Sequence, residues 1–174
     1  GENCLFGMGA GGSIQTSIRN TFFGDDAGNT CTTGDSNVAM GHAAMGQGVT
    51  TGDFNVAIGF TAGATLTSGT LNTVMGKNAG GSINTGTQNT FVGGLAGDAM
   101  TTGSYNTAVG KDSSGKVTTG SHNVSVGRMA LRETTTGSNN TALGRSALES
   151  NTTAPNNTAV GYQALTANTT GSEN

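Results

Sequence analysis

The string Asn-(Thr/Val/Cys)-x-apolar-Gly occurs ten times in this chain of 174 residues, and that recurrence constrains the fold more than any other feature. Its asparagines are Asn3, Asn20, Asn37, Asn55, Asn72, Asn89, Asn106, Asn123, Asn140 and Asn157. Every step is 17 residues except the step of 18 from Asn37 to Asn55, and Asn174 stands where an eleventh unit would begin. A fixed period of this length marks a stack of supersecondary units, each too small to bury a core alone.

Positions are counted here from the asparagine as zero. Position +4 is always glycine: Gly7, Gly24, Gly41, Gly59, Gly76, Gly93, Gly110, Gly127, Gly144 and Gly161. Position +3 is always a sizeable apolar residue, from Phe6 to Val160, and position +7 is Ala except for Ser113. A further glycine sits three residues before most asparagines, as in Gly34, Gly86 and Gly120; Ala154-Pro155 replaces it once. Each unit therefore reads as a short strand, a glycine bend, a second short segment and a Thr-Thr-Gly turn. Helix is a poor choice, because Gly, Thr and Asn at this density oppose it.

The expected fold is all-β: a parallel β-solenoid of ten 17-residue rungs, one repetitive domain over residues 1–174. One rung buries two or three apolar side chains at roughly 1.5–3 kcal/mol each. Ordering its backbone costs on the order of 1–2 kcal/mol per residue, so stacking must supply the rest. Ten rungs at about 4.8 Å make a rod of roughly 48 Å.

Two columns trade volume. Units with glycine at +8 carry an apolar residue at +11, as in Gly80 with Ile83 and Gly97 with Met100. The last three reverse this, with Leu131, Leu148 and Leu165 at +8 and Thr134, Asn151 and Asn168 at +11. Dense packing then places +8 and +11 in one pocket. In the 18-residue unit Met45 and a shifted Val49 are the expected pair.

Composition closes off other classes. There are 31 Gly, one Pro and 10% charged residues, which is unlike a disordered chain. A net charge of −3 with seven Lys+Arg gives no footprint for nucleic acid or an anionic membrane. No apolar run is long enough to span a bilayer. Cys4 and Cys31 are too few for a disulfide framework and lack zinc spacing; Cys31 falls in an Ile/Leu column and reads as a buried thiol.

Chemical motifs dissolve into the repeat. Gly7 to Gly12 matches GxGxxG, and Gly110 to Lys116 nearly matches a P-loop, but both are repeat positions without a following helix. His42 and His122 belong to no triad or metal constellation, and Asp25, Asp26, Asp35 and Asp53 lack the spacing of calcium β-rolls. No catalytic, cofactor or metal residue is assigned, and the chain is read as a non-enzyme.

The residues singled out are columns. Asn20, Asn37, Asn55, Asn72, Asn89, Asn106, Asn123, Asn140 and Asn157 form a ladder of stacked amides, structural because polar groups at a turn must find partners. Gly24 through Gly161 at +4 are its turn glycines. Thr101-Thr102, Thr118-Thr119 and Thr135-Thr136 belong to a stacked hydroxyl array, a candidate surface for ice or glycan. Asn123, Asn139, Asn151, Asn156 and Asn168 lie in glycosylation sequons. Phe60, Leu95, Met129 and Tyr162, at +5 and +6, vary between rungs and are where a specific partner could be read.

Segments such as Asn140-Thr-Ala-Leu-Gly-Arg-Ser-Ala-Leu148 and Asn157-Thr-Ala-Val-Gly-Tyr-Gln-Ala-Leu165, followed by Thr169-Thr-Gly-Ser, resemble two kinds of repeat. One is the head of YadA-like trimeric autotransporter adhesins; the other is the repetitive shaft of phage and phage-like tail fibres. The resemblance runs through all ten units and implies a left-handed β-roll, three chains side by side, displayed extracellularly on a cell surface or virion. Its partners would be copies of itself, as a homotrimer or an end-to-end filament, with a cell-surface glycan or protein as a possible ligand. Gly1-Glu2-Asn3 and Gly171-Ser-Glu-Asn174 share one repeat phase without caps, so the unit is expected to continue as part of a longer fibre or array.

Overall fold

The computed structural model describes residues 2–174. Each repeat contributes one strand of three residues: β1 Cys4–Phe6, β2 Thr21–Phe23, β3 Val38–Met40, β4 Val56–Ile58, β5 Thr73–Met75, β6 Thr90–Val92, β7 Thr107–Val109, β8 Val124–Val126, β9 Thr141–Leu143 and β10 Thr158–Val160. They pair in parallel and in sequence order as one ten-stranded sheet. Equivalent repeat positions face each other, as Thr107 faces Val124 and Val109 faces Val126. This is the all-β parallel solenoid expected from the period, with no helix among the described residues.

Glycine ends each strand for a steric reason. Gly93 has φ +137°, and a Cβ built on it would stand 2.6 Å from the Gly110 carbonyl oxygen of the next rung. No side chain fits between rungs there, and L residues avoid that dihedral. The second glycine column is as tight: a Cβ on Gly86 would lie 2.4 Å from the Gly103 carbonyl oxygen.

The three-residue strand points its middle residue inward. Phe22, Ala39, Ala57, Val74, Phe91, Ala108, Ser125, Ala142 and Ala159, all at +2, are buried. The alanines at +7 from Ala27 to Ala147 lie beneath them, also buried. The volume trade between +8 and +11 is present and has a third member at +2. Phe22 and Phe91 accompany Gly28 and Gly97, where a Cβ would fall 2.5 Å from the ring. Small residues at +2, such as Ala39, Ser125 and Ala142, accompany the buried Met45, Leu131 and Leu148. The three positions share the interior volume, and a rung left light, such as Ala57 with Gly63 and Leu66, is filled in part by its neighbour, since a Cβ on Gly63 would stand 3.2 Å from Val74.

The 18-residue rung corrects one expectation. Val49 is 57% exposed, whereas Thr50 is buried and pairs with Cys31 in a parallel bridge. Thr50 stands 13 residues after Asn37 and 5 before Asn55, so this rung is two residues longer ahead of the +11 column and one shorter behind it; Thr50 takes that column and donates its hydroxyl to the Leu66 carbonyl at 3.0 Å. With Met45 already filling the pocket, a polar residue there matches the last rungs.

Ser113 marks a break in the interior. Its Oγ donates to Ser125 Oγ at 2.8 Å and to the Ser125 carbonyl at 3.0 Å, and Ser114 Oγ lies 2.8 Å from Ser125 Oγ. All three serines are buried. The apolar residues fall into one cluster ending at Val117 and a second beginning at Ala130. A hydrogen-bonded serine layer separates them, satisfied within itself as buried hydroxyls must be.

Three positions besides the glycine bend have positive φ. The residue before each asparagine has φ between 56° and 61°, from Arg19 to Glu173. The non-glycine residues at +6 and +8 adopt φ between 49° and 62°. Left-handed residues cost about 1 kcal/mol or more each, so the stacked neighbours must hold them in place.

Leu148→Gly is expected to lower stability by about 2–5 kcal/mol in urea or thermal melts, as for other large-to-small core changes. The double change Leu148→Gly with Asn151→Ile, which refills the pocket from the other side, is expected to recover most of that loss.

Candidate functional site

The asparagine column lies inside the rod. Asn20 through Asn157 are buried, and each amide bridges its neighbours. Asn106 is representative: its backbone N–H donates to Asn89 Oδ1 at 2.9 Å, and its Nδ2 donates to Asn89 Oδ1 at 3.1 Å and to the Gly120 carbonyl at 2.9 Å. Its own Oδ1 accepts the Asn123 N–H at 3.0 Å. The side chain thus reaches both the rung before and the rung after, with no polar atom left for a ligand.

The threonine pairs divide by role. Thr101 Oγ1 donates to the Thr118 carbonyl at 3.1 Å, Thr118 to Thr135 at 3.2 Å, and Thr135 to Thr152 at 3.3 Å. These hydroxyls are committed between rungs. Thr102, Thr119 and Thr136 are exposed, so only one hydroxyl per pair faces solvent.

The outer face of the sheet is different in kind. With +2 turned inward, +1 and +3 turn outward, and the apolar +3 column lies on the surface. Phe6 is 65% exposed, Phe23 51%, Met75 40% and Val160 68%. Phe6 and Phe23 stack with ring centroids 4.8 Å apart. The +1 column beside it holds Thr, Val and the exposed Cys4. No charged residue occurs among these twenty positions. Apolar ridges this continuous are uncommon on monomers and mark interaction surfaces.

Around the glycine bend the +5 column is mixed. Phe60 and Tyr162 are exposed, whereas Leu95 and Met129 at +6 are half-buried. The His42 ring stacks on Phe60 at 5.3 Å, and the Arg145 guanidinium lies 5.5 Å from the Tyr162 ring centre. Stacking brings together Asp25, Asp26 and His42, whose ligand-type atoms lie within 4.8 Å of one another on an open turn. His42 comes from the next rung, so no sequence motif connects it to the two aspartates. Asp25 Oδ1 is sheltered without a hydrogen-bond partner in the chain, while Asp25 Oδ2 lies 3.7 Å from His42 Nε2; both side chains are substantially exposed, and that ion pair accounts for the grouping.

Beside Phe60 a groove of about 360 Å³ runs across four rungs, lined by Gln47, Phe60, Thr61, Ala64, Thr65, Asn78, Gly81, Ser82 and Asp98. The small residues Ala64 and Gly81 at +9 form its floor. Burial pushes the Asp98 carboxyl above the ordinary aspartate range, with the nearby Asp112 charge adding to it. Burial likewise raises the Cys31 thiol, which is free and buried, so it stays protonated near neutral pH. No helix is long and apolar enough to cross a membrane among the described residues.

Comparisons with protein-family profiles, curated proteins and solved structures return no match to this chain.

Asn106→Asp replaces a donor by an acceptor facing Asn89 Oδ1 and the Gly120 carbonyl, so it is expected to cost about 3 kcal/mol or more in urea melts. Asp98→Asn should act in the opposite direction. Because the folded pKa of Asp98 lies above its unfolded value, stability falls as pH rises from the ordinary aspartate range through the raised value. The substitution is expected to raise the melting midpoint at pH 7, with the gain vanishing in acid, where Asp98 is itself neutral.

Proposed function

We propose that this chain is a structural shaft module of an extracellular fibre, surface adhesin or tail fibre, assembled from copies packed along the outer strand face. The observation that supports it is the uncharged, apolar +1/+3 surface of all ten strands. A ridge that repeats once per rung, about every 4.8 Å, fits best against a surface with the same spacing. Another copy of this chain supplies that spacing by construction, and a globular partner does not. Burying the ridge also removes apolar area at about 25 cal/mol per Å², a term that accumulates with every rung.

The likeness of the repeat to trimeric autotransporter heads and tail-fibre shafts gives the number of copies as three and the hand of the roll as left. It also gives the place of display, outside the cell or on a virion. The work of such a module is mechanical: it sets a distance and carries surface groups, and no catalytic step is assigned to it.

The test is mass in solution by light scattering, for the native chain and for Val109→Lys with Val126→Lys. The native chain is expected as a trimer or longer assembly. The double variant is expected as a monomer that keeps its β-type circular dichroism, since both side chains point away from the core. A native chain that is monomeric at high concentration overturns the assembly. Thermal hysteresis in such a monomer would move the stacked turn threonines, of which Thr102, Thr119 and Thr136 are exposed, to an ice-binding role.

A further inference from the structure

We infer that the groove beside Phe60 is a binding site for a neutral saccharide. The ligand's source is argued on the premise that the chain is displayed as a shaft, but the groove itself lies within one chain and on a different side of the rung from the strand face.

Four features of the groove converge on that ligand class. Phe60 is 50% exposed, and its ring is held by stacking on His42, so a flat apolar platform is fixed in place at one end. Such a platform suits the C–H face of a pyranose, which is apolar on that side and ringed by hydroxyls at its edge. The Thr61 hydroxyl lies 2.6 Å from Asn78 Oδ1 and 2.8 Å from the Phe60 carbonyl, which fixes the amide oxygen on the Thr61 side and leaves the amide nitrogen for a ligand. Gln47 and Ser82 bring an amide and a hydroxyl that make no side-chain hydrogen bond within the chain. Asp98 lies along the same groove and supplies a carboxylate able to accept two vicinal hydroxyls.

The charge selects against other ligands. No Lys or Arg lines this groove, and Lys116 and Arg132 lie beyond Asp98 in the adjoining pocket, so within the groove itself the one charged group is the Asp98 carboxylate. A purely apolar ligand would strand the amides and the carboxylate without partners. The volume of about 360 Å³ lies at the low end of small-molecule sites, roughly 300–1,000 Å³. The site exists because of local departures from the repeat. Gln47 belongs to the 18-residue rung, and +9 is small at Ala64 and Gly81 but long and charged at Arg132 and Glu149.

The experiment is binding of the assembled protein to an array of glucose-, galactose-, mannose- and N-acetylglucosamine-terminated oligosaccharides, with sialylated and sulfated ones alongside. One or more neutral glycans are expected to bind, with at least a tenfold loss in Phe60→Ala and in Asp98→Asn. Phe54→Ala, an equally exposed phenylalanine outside the groove, is expected to bind as the native chain does. The Asp98→Asn variant is thus expected to melt higher and bind worse, a combination that damage to the fold would not produce. Binding of no neutral glycan, binding confined to acidic ones, or binding unchanged in Phe60→Ala overturns the site. Light scattering on the same samples separates the two proposals: a monomer that binds sugar keeps the groove and loses the shaft, and an assembly that binds none does the reverse.

Discussion

A rung of seventeen residues closes few hydrogen bonds on itself, and almost everything else in this rod follows from that dependence on its neighbours. The Thr107 N–H reaches the Asn123 carbonyl, and the Gly110 N–H reaches back to the Val92 carbonyl, each at 2.8 Å. The buried asparagine repeats this exchange with its side chain, tying three successive rungs at the turn into the strand. Backbones that approach so closely leave no room for a Cβ at +4, hence glycine there in every rung, and little room three residues before the ladder asparagine, where Ser17 and Ala154 stand only towards the two ends of the rod. Residues such as Leu71, Tyr105 and His122 sit at positive φ because the rungs above and below fix the backbone around them. The strain is local, and the restraint is collective.

Much of this was legible from the sequence because a solenoid writes its geometry once per turn. The ladder asparagines, the glycines and the small +7 residues each stood out by recurring at one phase. The exchange between +8 and +11 was also visible, since the pairs Gly80 with Ile83 and Leu148 with Asn151 differ in opposite senses. The third partner at +2 was not, because Phe22, Ala39 and Ser125 share no chemical character. A three-residue strand gives too little alternation to say which side is inside, so the most regular apolar column turned out to be the outer one. Counting the one extra residue shifts the +11 phase to Val49, but the backbone takes up the insertion differently, and the parallel bridge to Cys31 falls on Thr50.

The groove escaped the sequence for a related reason. Gln47 and Asp98 are three rungs apart along the chain, and neither occupies a column of its own kind. Periodicity exposes what rungs have in common, whereas a recognition site is made from what they do not. Phe60 could be singled out only as a residue that varies, and its stacking on His42 depends on a neighbour that no motif connects to it.

The interior accounting at +2, +8 and +11 is settled within the rung at some levels and shared with the next at others, as where a Cβ on Gly63 would stand 3.2 Å from Val74. Phe91 is accommodated by its own Gly97, and Leu131 by its own Ser125 and Thr134, so such a rung carries its fit with it. A gene built from such units can gain or lose whole copies by unequal recombination where the rungs that meet are self-fitted in this way. The length of the rod then becomes a heritable dimension that changes in steps of one rung, about 4.8 Å each, while a groove spanning four rungs is inherited only as a block.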